Sequence, residues 1–290
     1  MNYRHHFHAG NFADVMKHAL LGRLLTALQR KEKGFLYLDT HAGRGGYDLT
    51  VAAQGDTLAR APEYPQGIGR LWARPDLPEG LAEYVALVRK FAEQKGAPDD
   101  TLRYYPGSPW IAQLLARPQD RLVFCEKQPD ERERLDLEFG RAARVQVSAL
   151  DGYGAPRALL PPPERRALVL IDPPFEAQDE FARVARAVAE GLRRLPSAVY
   201  AIWYPLTERA RVDAFFAELL ALPLPPTLEL ELTVAGEQSA LKMKGCGLVV
   251  INPPWQFDGE ARRMLDWLAG ALAQEPGGRA KSRWLVPERA

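Results

Sequence analysis

An acid, two prolines and an aromatic ring follow directly on an apolar run at residues 167–171, which reads Ala-Leu-Val-Leu-Ile. Five apolar residues without alternation predict a central parallel strand covered on both faces, and ligands of such sheets bind at the carboxyl ends of the strands. Asp172 would lie at that edge. Pro173 and Pro174 have restricted backbone angles and no N–H, so they keep the chain extended and leave its carbonyl groups free to accept hydrogen bonds.

These residue types suit the binding of an exocyclic amine. An amine has two hydrogens, and the Asp172 carboxylate and the Pro173 carbonyl can accept one each, while Phe175 can stack on the ring that carries the amine. The stretch resembles the amine-binding motif of N6-adenine, N4-cytosine and glutamine-amide methyltransferases. The alternative is a strand that ends in an ordinary proline-rich turn.

A second stretch, residues 251–255, has nearly the same pattern, Ile-Asn-Pro-Pro-Trp. Position distinguishes the two. The strand before Asp172 is the fourth predicted strand, counted from the one that precedes a glycine-rich turn at residues 43–46, whereas the strand before Asn252 comes too late in that order. We therefore interpret Asn252 as a structural repetition of the motif and not as a catalytic residue.

The glycine-rich turn follows a hydrophobic strand at residues 35–39, and Gly43 and Gly45 have the spacing Gly-x-Gly. It departs from the dinucleotide fingerprint, which requires a glycine where Asp48 lies, so a pyrophosphate site is poorly supported. Such a turn suits a nucleoside ligand with an amino-acid tail, as in S-adenosylmethionine. Alone, it is a weak signal.

Acidic residues recur where the predicted strands end. We expect strands at 35–39, 121–125, 144–147, 167–171, 198–203, 228–234 and 247–252, with the sixth half-exposed and antiparallel because leucine alternates with glutamate. Asp39, Glu126, Asp151 and Asp172 then lie at or just past the ends of the first four. Right-handed crossovers bring those ends to one edge of an α/β, Rossmann-like sheet.

The second strand is delayed by helix-like segments, so residues 51–107 are predicted to be an inserted helical subdomain. Its clearest helix spans residues 78–95 and stops at Gly96. The insertion divides the chain into 1–50, 51–107 and 108–290. Beyond it, Ser108 and Pro109 are expected as the N-cap and first turn of another helix.

The N-terminal residues combine aromatic rings with cations. Tyr3 and Arg4 would suit a nucleic-acid base and phosphate, although tails of this kind are often only disordered. Three histidines at positions 5, 6 and 8 have no carboxylate or cysteine partners nearby, so no metal is expected. Asn11 is predicted to be the N-cap of a helix whose apolar residues recur at helical spacing. Lys17 and His18 lie off this apolar stripe, which favours a place for both on a solvated face of the helix.

Composition limits the class of protein. The chain has 290 residues, 47% of them apolar and 26% charged, with no run long enough to predict a membrane span. Two cysteines inside apolar stretches indicate buried thiols in a reducing cytoplasm. A net charge of +1 gives no general nucleic-acid signal, so a polyanion would need a local basic face.

Several segments together resemble the RlmJ family of bacterial 23S rRNA adenine-N6 methyltransferases. They are the N-terminal stretch 3–18, the strand and turn 36–43, the Arg-Tyr-Tyr-Pro-Gly-Ser-Pro segment 103–109, Ile-Asp-Pro-Pro at 171–174 and Val-Ile-Asn-Pro-Pro-Trp at 250–255. The similarity runs nearly from end to end. It implies a class I S-adenosylmethionine-dependent methyltransferase with 23S rRNA as its partner; we expect a monomer without an obligate protein partner.

The resemblance also implies roles for individual residues. The expected methyl-donor site comprises Lys17, His18, His41, Gly43, Ser108, Glu126, Asp151, Gly152 and Asp172. Within it, Glu126 would bind the ribose, Asp151 and Gly152 would lie at the adenine, and Asp172 would be the catalytic acid. Tyr3 matches a tyrosine implicated in handling the RNA. Phe175 lies where the family commonly has tyrosine, so stacking is expected but a hydroxyl contact is not.

The predicted reaction is in-line transfer of a methyl group to adenine N6. Asp172 and the Pro173 carbonyl would favour a pyramidal nitrogen with its lone pair directed at the methyl group, and positioning would supply most of the rate gain. A paired base must first leave its stack, at a cost that contacts from Tyr3, Arg4, Lys17 and Phe175 would offset. A DNA or protein-amide methyltransferase, and a non-catalytic RNA-binding protein, are the alternatives.

Overall fold

The structure is a computed structural model that describes residues 5–53, 61–98 and 100–288. Tyr3 and Arg4 lie outside the described residues. Its helices are α1 (His5–His8), α2 (Phe12–Gln29), α3 (Leu49–Ala53), α4 (Glu79–Gln94), α5 (Ser108–Leu115), α6 (Pro129–Phe139), α7 (Ala155–Leu159), α8 (Glu180–Arg194), α9 (Arg209–Leu220) and α10 (Phe257–Ala271).

The strands are β1 (Leu36–Asp39), β2 (Gly46–Asp48), β3 (Tyr104–Pro106), β4 (Arg121–Cys125), β5 (Val145–Ser148), β6 (Ala167–Ile171), β7 (Val199–Pro205), β8 (Thr227–Thr233), β9 (Gly245–Ile251) and β10 (Arg279–Val286). Eight of them form one sheet in the order β10-β8-β9-β7-β6-β1-β4-β5. Five neighbouring strands of this sheet, β5, β4, β1, β6 and β7, are parallel. Strand β9 runs antiparallel to both β7 and β8. The order reverses between β1 and β6, which is the switch point where Rossmann-like sheets bind their ligands.

Strand β6 is buried on both faces, as its unbroken apolar run predicted. Leu168 and Leu170 pack in the hydrophobic cluster on one side of the sheet, and Val169 and Ile171 pack in the cluster on the other side. Because successive side chains of a strand point to opposite faces, helices must cover both sides of the sheet. The three-layer α/β fold is therefore confirmed.

Helix α2 lies almost entirely inside the protein. Asn11 is its N-cap, as predicted, and its side-chain oxygen accepts hydrogen bonds from the backbone N–H groups of Ala13 and Asp14 at 2.9 and 3.0 Å. Fourteen of its 18 residues are buried. Lys17 and His18 are among them, so the solvated face expected from periodicity is wrong.

The chain leaves the eight-stranded sheet after β1, and the short strands β2 and β3 pair antiparallel in a separate two-stranded sheet. The described residues between them contain α3, 3-10 turns at Tyr64–Gln66 and Ile68–Arg70, and α4. Helix α4 packs against α2 and β3, and Gly96 follows its end with a left-handed φ of 78°. The division into an inserted subdomain with limits at 51 and 107 stays a prediction.

Strand β8 is antiparallel to its neighbours, as expected, but it is not half-exposed. Glu229 and Glu231 are buried because β10 covers that edge with Lys281, which lies 2.7 Å from Glu229, and with Arg283. The alternation of leucine and glutamate therefore marks a buried ionic face. Strand β10 was not predicted, since its sequence alternates weakly.

One helix start also differs from expectation. The N-cap of α5 is Gly107 and not Ser108. Within the parts of the chain that the structure describes, no helix is both long enough and apolar enough to cross a membrane.

Candidate active site

The four strand-end acids lie along one edge of the sheet. Asp39 is level with Phe124 in β4 and Leu170 in β6, and Cys125, just before Glu126, is level with Ser148 in β5. Asp172 comes two residues after Leu170, about 7 Å farther along the strand direction. The turn after β1 touches β6 directly, because the Thr40 N–H donates to the Leu170 carbonyl at 3.0 Å. Asp172 thus lies beside the glycine-rich turn.

Asp172 is paired with a buried lysine. The Lys17 Nζ lies 2.6 Å from Asp172 Oδ2 and 2.9 Å from Asp14 Oδ1, and the Lys17 and Asp172 side chains are only 7% and 16% exposed. Asp14 Oδ2 also accepts the Gly10 N–H at 3.0 Å. No described residue donates a hydrogen bond to the second oxygen of Asp172, Oδ1. One carboxylate oxygen is therefore fixed while the other remains able to accept.

The ammonium of Lys17 stays charged at neutral pH. Burial alone would lower the pKa of Lys17, but the negative charges of Asp14 and Asp172 and its hydrogen bonds to them raise that pKa well above its usual value. Lys17 therefore lies inside the site as a fixed cation, not on the solvated face that periodicity favoured.

Two aromatic rings lie beside Asp172. The Phe175 ring centroid is 5.9 Å from that of Trp203, which lies in β7, and the Lys17 Nζ is 5.9 Å from the Trp203 ring. Phe175 adopts a left-handed φ of 51°, which is rare for a bulky residue, and its ring centroid is 4.7 Å from that of Phe181. No residue in the described chain donates to the Pro173 carbonyl. The acceptor and the rings thus occur together, and the stacking role of Phe175 stays a prediction.

The glycine-rich turn is joined to Glu126. Gly43 adopts a left-handed φ of 62°, and its N–H donates to Glu126 Oε2 at 2.9 Å. The other oxygen, Oε1, accepts the Gln128 N–H at 2.7 Å. Burial raises the pKa of Glu126, against the effect of these hydrogen bonds. The carboxylate is held at the turn, where its remaining lone pairs can accept from vicinal hydroxyls.

A polar cluster lies beneath the turn. Asp39 accepts hydrogen bonds from the Tyr37 hydroxyl at 3.0 Å and from the His41 N–H at 3.3 Å. Ser108, the first residue of α5, is also buried, and its hydroxyl favours the ionised form of Asp39. Burial raises the pKa of Asp39 to about 6, although these hydrogen bonds oppose the shift.

His41 is neutral at physiological pH, because burial lowers its pKa to about 4. The Thr40 hydroxyl oxygen lies 3.0 Å from the Leu170 carbonyl oxygen and 2.7 Å from His41 Nδ1, so it holds the imidazole ring in place. Gly152 lies against this ring. A Cβ there would be 2.0 Å from the Thr40 carbonyl oxygen and 2.8 Å from His41 Nε2, so only glycine fits.

Asp151 lies at the rim of the same pocket. Its carboxylate is 3.2 Å from the Lys127 Nζ and 3.4 Å from the Arg183 guanidinium, which stacks over the Tyr153 ring at 3.8 Å. The ring of Tyr153 packs edge-on against His41 with centroids 4.9 Å apart. An aromatic and cationic wall therefore borders the Asp151–Gly152 loop.

His18 lies deeper, on the side of the inserted residues. Its Nδ1 is 2.8 Å from the Tyr105 hydroxyl, which is itself 2.8 Å from the Tyr84 hydroxyl on α4. Burial raises the pKa of Tyr105 well above its usual value. This series of buried polar side chains connects α2 with the inserted segment. The connection starts at His18, the residue after Lys17.

Asn252 lies at the opposite edge of the sheet, because β9 runs antiparallel to β7 and Ile251 is level with Tyr200 near the start of that strand. Its side-chain amide donates to the carbonyls of Pro196 and Ala198, both at 2.8 Å. The second Asn-Pro-Pro motif is thus remote from the glycine turn and its amide is already bonded.

Three residues at the site were not foreseen as part of it: Asp14, Tyr153 and Trp203. Asp14 carried a signal, since it lies three residues before Lys17 on a helix and such pairs face each other. Trp203 ends a predicted strand at the ligand edge. Tyr153 follows the Asp-Gly pair directly, but its contact with His41 depends on the tertiary fold.

Strand order, glycine turn and strand-end acids define a Rossmann-like methyltransferase of class I. The family model described as Ribosomal RNA large subunit methyltransferase D, RlmJ, matches residues 32–286. The chain is 40% and 41% identical over 288 residues to the proteins named Ribosomal RNA large subunit methyltransferase J from Escherichia coli (strain K12) and Haemophilus influenzae, covering 99% of this chain and 100% of each relative. The chain belongs to this RlmJ family.

A solved structure from Legionella pneumophila has the same fold. It is 35% identical, superposes with a TM-score of 0.83, and the match covers 96% of this chain and 97% of that chain. The fold is therefore shared over nearly the whole length of both chains.

Proposed function

We propose that this protein transfers a methyl group from S-adenosyl-L-methionine to the N6 amine of an adenine in 23S rRNA. The relatives carry the name of a ribosomal RNA large subunit methyltransferase. The observation that carries the proposal is the Asp172 carboxylate, which has one oxygen fixed by Lys17 and the other available beside a locked proline carbonyl. Its place of action is the bacterial cytoplasm, where rRNA is made.

The residues around the glycine turn fit the methyl donor. Gly152 leaves a space that a Cβ would fill, His41 is neutral, and Glu126 is oriented by two backbone N–H groups. Glu126 would accept from the ribose hydroxyls, and the Asp151–Gly152 loop would border the adenine ring. When bound, S-adenosyl-L-methionine supplies an electrophilic methyl group attached to a sulfonium centre.

The protein's contribution is to orient the adenine amine. The lone pair of that amine is delocalised into the ring, so it is a poor nucleophile when planar. Asp172 Oδ1 and the Pro173 carbonyl would accept its two hydrogens and favour a pyramidal nitrogen. Phe175 and Trp203 provide apolar surfaces for the extruded base, and base–aromatic stacking is worth about 1–3 kcal/mol per base.

Lys17 positions Asp172 and stays protonated. Because the pKa of Lys17 is raised well above its usual value, its ammonium does not take the proton released from the methylated amine. That proton passes to Asp172 Oδ1 once alkylation has made the nitrogen acidic. Lys17 and Asp14 keep the carboxylate in one orientation throughout, which is the precondition for rate enhancement by positioning.

The test is methylation of 23S rRNA with radiolabelled donor, followed by digestion to nucleosides. Labelled N6-methyladenosine is the expected product. Duplex DNA and a protein fraction serve as parallel substrates, and labelling of either in place of RNA would contradict the assignment. Donor that binds tightly without any labelled product would indicate an RNA-binding protein that lacks catalysis.

A further inference from the structure

Trp255 is exposed at the edge of the sheet opposite the active site. Its side chain belongs to the Ile-Asn-Pro-Pro-Trp motif that the catalytic site does not use, and the residue is 72% exposed. A solvent-exposed indole contributes little to the stability of the fold, because it leaves its apolar surface in water. Its position on a rigid turn makes the indole available for contact with a partner.

The turn that presents Trp255 is held in place from both sides. The Asn252 N–H donates to the Pro226 carbonyl at 2.8 Å, while the Asn252 side chain bonds to two further carbonyls. Pro253 and Pro254 restrict the backbone that follows. Asn252 and Gln256 both adopt left-handed φ values, 54° and 65°, which cost energy in residues other than glycine. A strained and fixed turn keeps the indole directed outward.

Cations lie close to the turn that presents this indole. The Arg30 guanidinium donates to the Trp255 carbonyl at 3.1 Å and is 47% exposed. Lys31 and Lys33, which follow Arg30 just after α2, are also exposed. Of the nearby acids, Glu260 is already bonded to Arg30 and Arg23, and Asp258 lies three residues after Trp255. Within the exposed segment 30–33, three cations outnumber one acid, Glu32, so this segment is basic.

We propose that Trp255, Arg30, Lys31 and Lys33 form a second RNA-binding surface, which contacts the rRNA at a distance from the target adenine. An unpaired base would stack on the Trp255 indole, and the three cations would bind the flanking phosphates. Lys17 and Arg30 are 13 residues apart on α2, so the surface lies about 20 Å from the catalytic carboxylate. This inference rests on the proposed function, because it takes rRNA as the substrate.

RNA is favoured over a second copy of the chain. In a symmetric dimer the same patch meets itself, so Arg30, Lys31 and Lys33 of two chains would face each other and repel. A single indole rimmed by cations also offers too little apolar area for a stable protein interface. Both features suit a polyanion with stacking bases.

The test compares two RNA substrates that contain the target adenine. One is a stem-loop fragment too short to extend about 20 Å from that adenine, and the other is a longer fragment that reaches the surface. Trp255→Ala is expected to lower kcat/KM on the long fragment about tenfold, in line with the loss of one stacked base. It should leave kcat/KM on the short fragment unchanged.

Controls separate this effect from a general loss of structure. Leu137→Ala removes a side chain that is 74% exposed on α6, and it should change neither substrate. Trp255→Phe retains a stacking ring and should recover most of the activity. The binding constant of the long fragment falls with salt, and the slope of its logarithm against the logarithm of the salt concentration measures the phosphate contacts. The double variant with Lys31→Ala and Lys33→Ala should reduce the magnitude of this slope by about two.

An unchanged kcat/KM for Trp255→Ala on the long fragment, or an equal loss on both fragments, would overturn the inference. So would a wild-type dimer that this variant dissociates in sedimentation. The proposed function fails separately, if wild-type protein methylates neither fragment. Direct binding of the long fragment to wild type and Trp255→Ala would still test the surface in that case, and equal affinities would refute it.

Discussion

The Lys17 ammonium lies 2.6 Å from the Asp172 carboxylate, although 155 residues separate them in the chain. Lys17 comes from the first helix that follows the N-terminal segment, and Asp172 ends the central strand. Asp14 completes the arrangement and also binds the Gly10 N–H at 3.0 Å. The start of the chain is thus connected to the proposed catalytic carboxylate through two buried side chains.

Replacing Lys17 with methionine should destabilise the protein and stop catalysis. The change leaves two buried carboxylates without their cation, which costs about 3–5 kcal/mol in comparable buried pairs. The free energy of unfolding measured in urea checks this. Lys95→Met is the matched control: Lys95 lies 2.6 Å from Glu138, but that pair is about a quarter exposed, so its loss should cost about 1 kcal/mol. Equal losses would show that burial of the Lys17 pair is unimportant.

Asp172→Ala should abolish methyl transfer while donor affinity changes little. Asn252→Ala removes the equivalent residue of the second Pro-Pro motif and should keep the chemical step, because Asn252 bonds only to backbone carbonyls at the other edge. Single-turnover methylation and donor titration distinguish the steps. An active Asp172→Ala protein, or an inactive but folded Asn252→Ala protein, would mean that the wrong motif has been assigned.

Gly152→Ala should weaken donor binding by about tenfold or more, since overpacking by one methyl group costs about 1–3 kcal/mol. The added Cβ would meet the Thr40 carbonyl at 2.0 Å and push His41 into the pocket. Gly154→Ala, two residues on, meets its nearest neighbour at an ordinary 3.4 Å and should bind donor normally. Calorimetric titration of both variants makes the comparison. Identical affinities would exclude a donor contact at this loop.

Asp39 should make the stability of the protein fall as pH rises from 4 to 6. Its pKa is raised from 3.8 to about 6 by burial, so the folded state binds more protons than the unfolded state in this range, and folding weakens by about 3 kcal/mol. His41 acts oppositely: burial lowers its pKa from 6.5 to about 4, so the unfolded state binds more protons and stability rises with pH.

Because the two effects nearly cancel, neither is visible when the stability of the wild-type protein is plotted against pH. Asp39→Asn should remove the first, so its stability relative to wild type should increase by about 3 kcal/mol between pH 4 and pH 7. Urea unfolding at half-unit intervals measures the difference. A constant difference across that range would show that Asp39 titrates normally in the folded protein.

Removing residues 1–4 should reduce methylation of RNA more than it reduces donor affinity. Tyr3 and Arg4 are the residues expected to contact the base and phosphate, whereas Gly10 and Asn11, which anchor α2, remain in place. Donor titration and RNA kinetics on the shortened protein separate the two effects. A larger loss of donor affinity would assign the tail to the donor site.

Much of this protein could be predicted from local residue patterns. The apolar run before Asp172 defined a central strand because a fully buried strand has no polar alternation, and the acids at strand ends followed from the geometry of parallel sheets. Asn11 and Gly96 marked helix limits because capping depends on neighbouring residues. The role assignments of His18 and Ser108 came from family resemblance and not from such patterns.

Other features depended on contacts between distant segments. The burial of Lys17 could not be read from α2 alone, because its partner Asp172 arrives from β6 and its cover from the inserted segment. Glu229 and Glu231 looked solvent-facing until β10 placed Lys281 and Arg283 over them. The two Pro-Pro motifs are nearly identical in sequence, and only the antiparallel direction of β9 sends Asn252 to the far edge. Chain direction within a sheet is decided by long-range pairing, which no local pattern encodes.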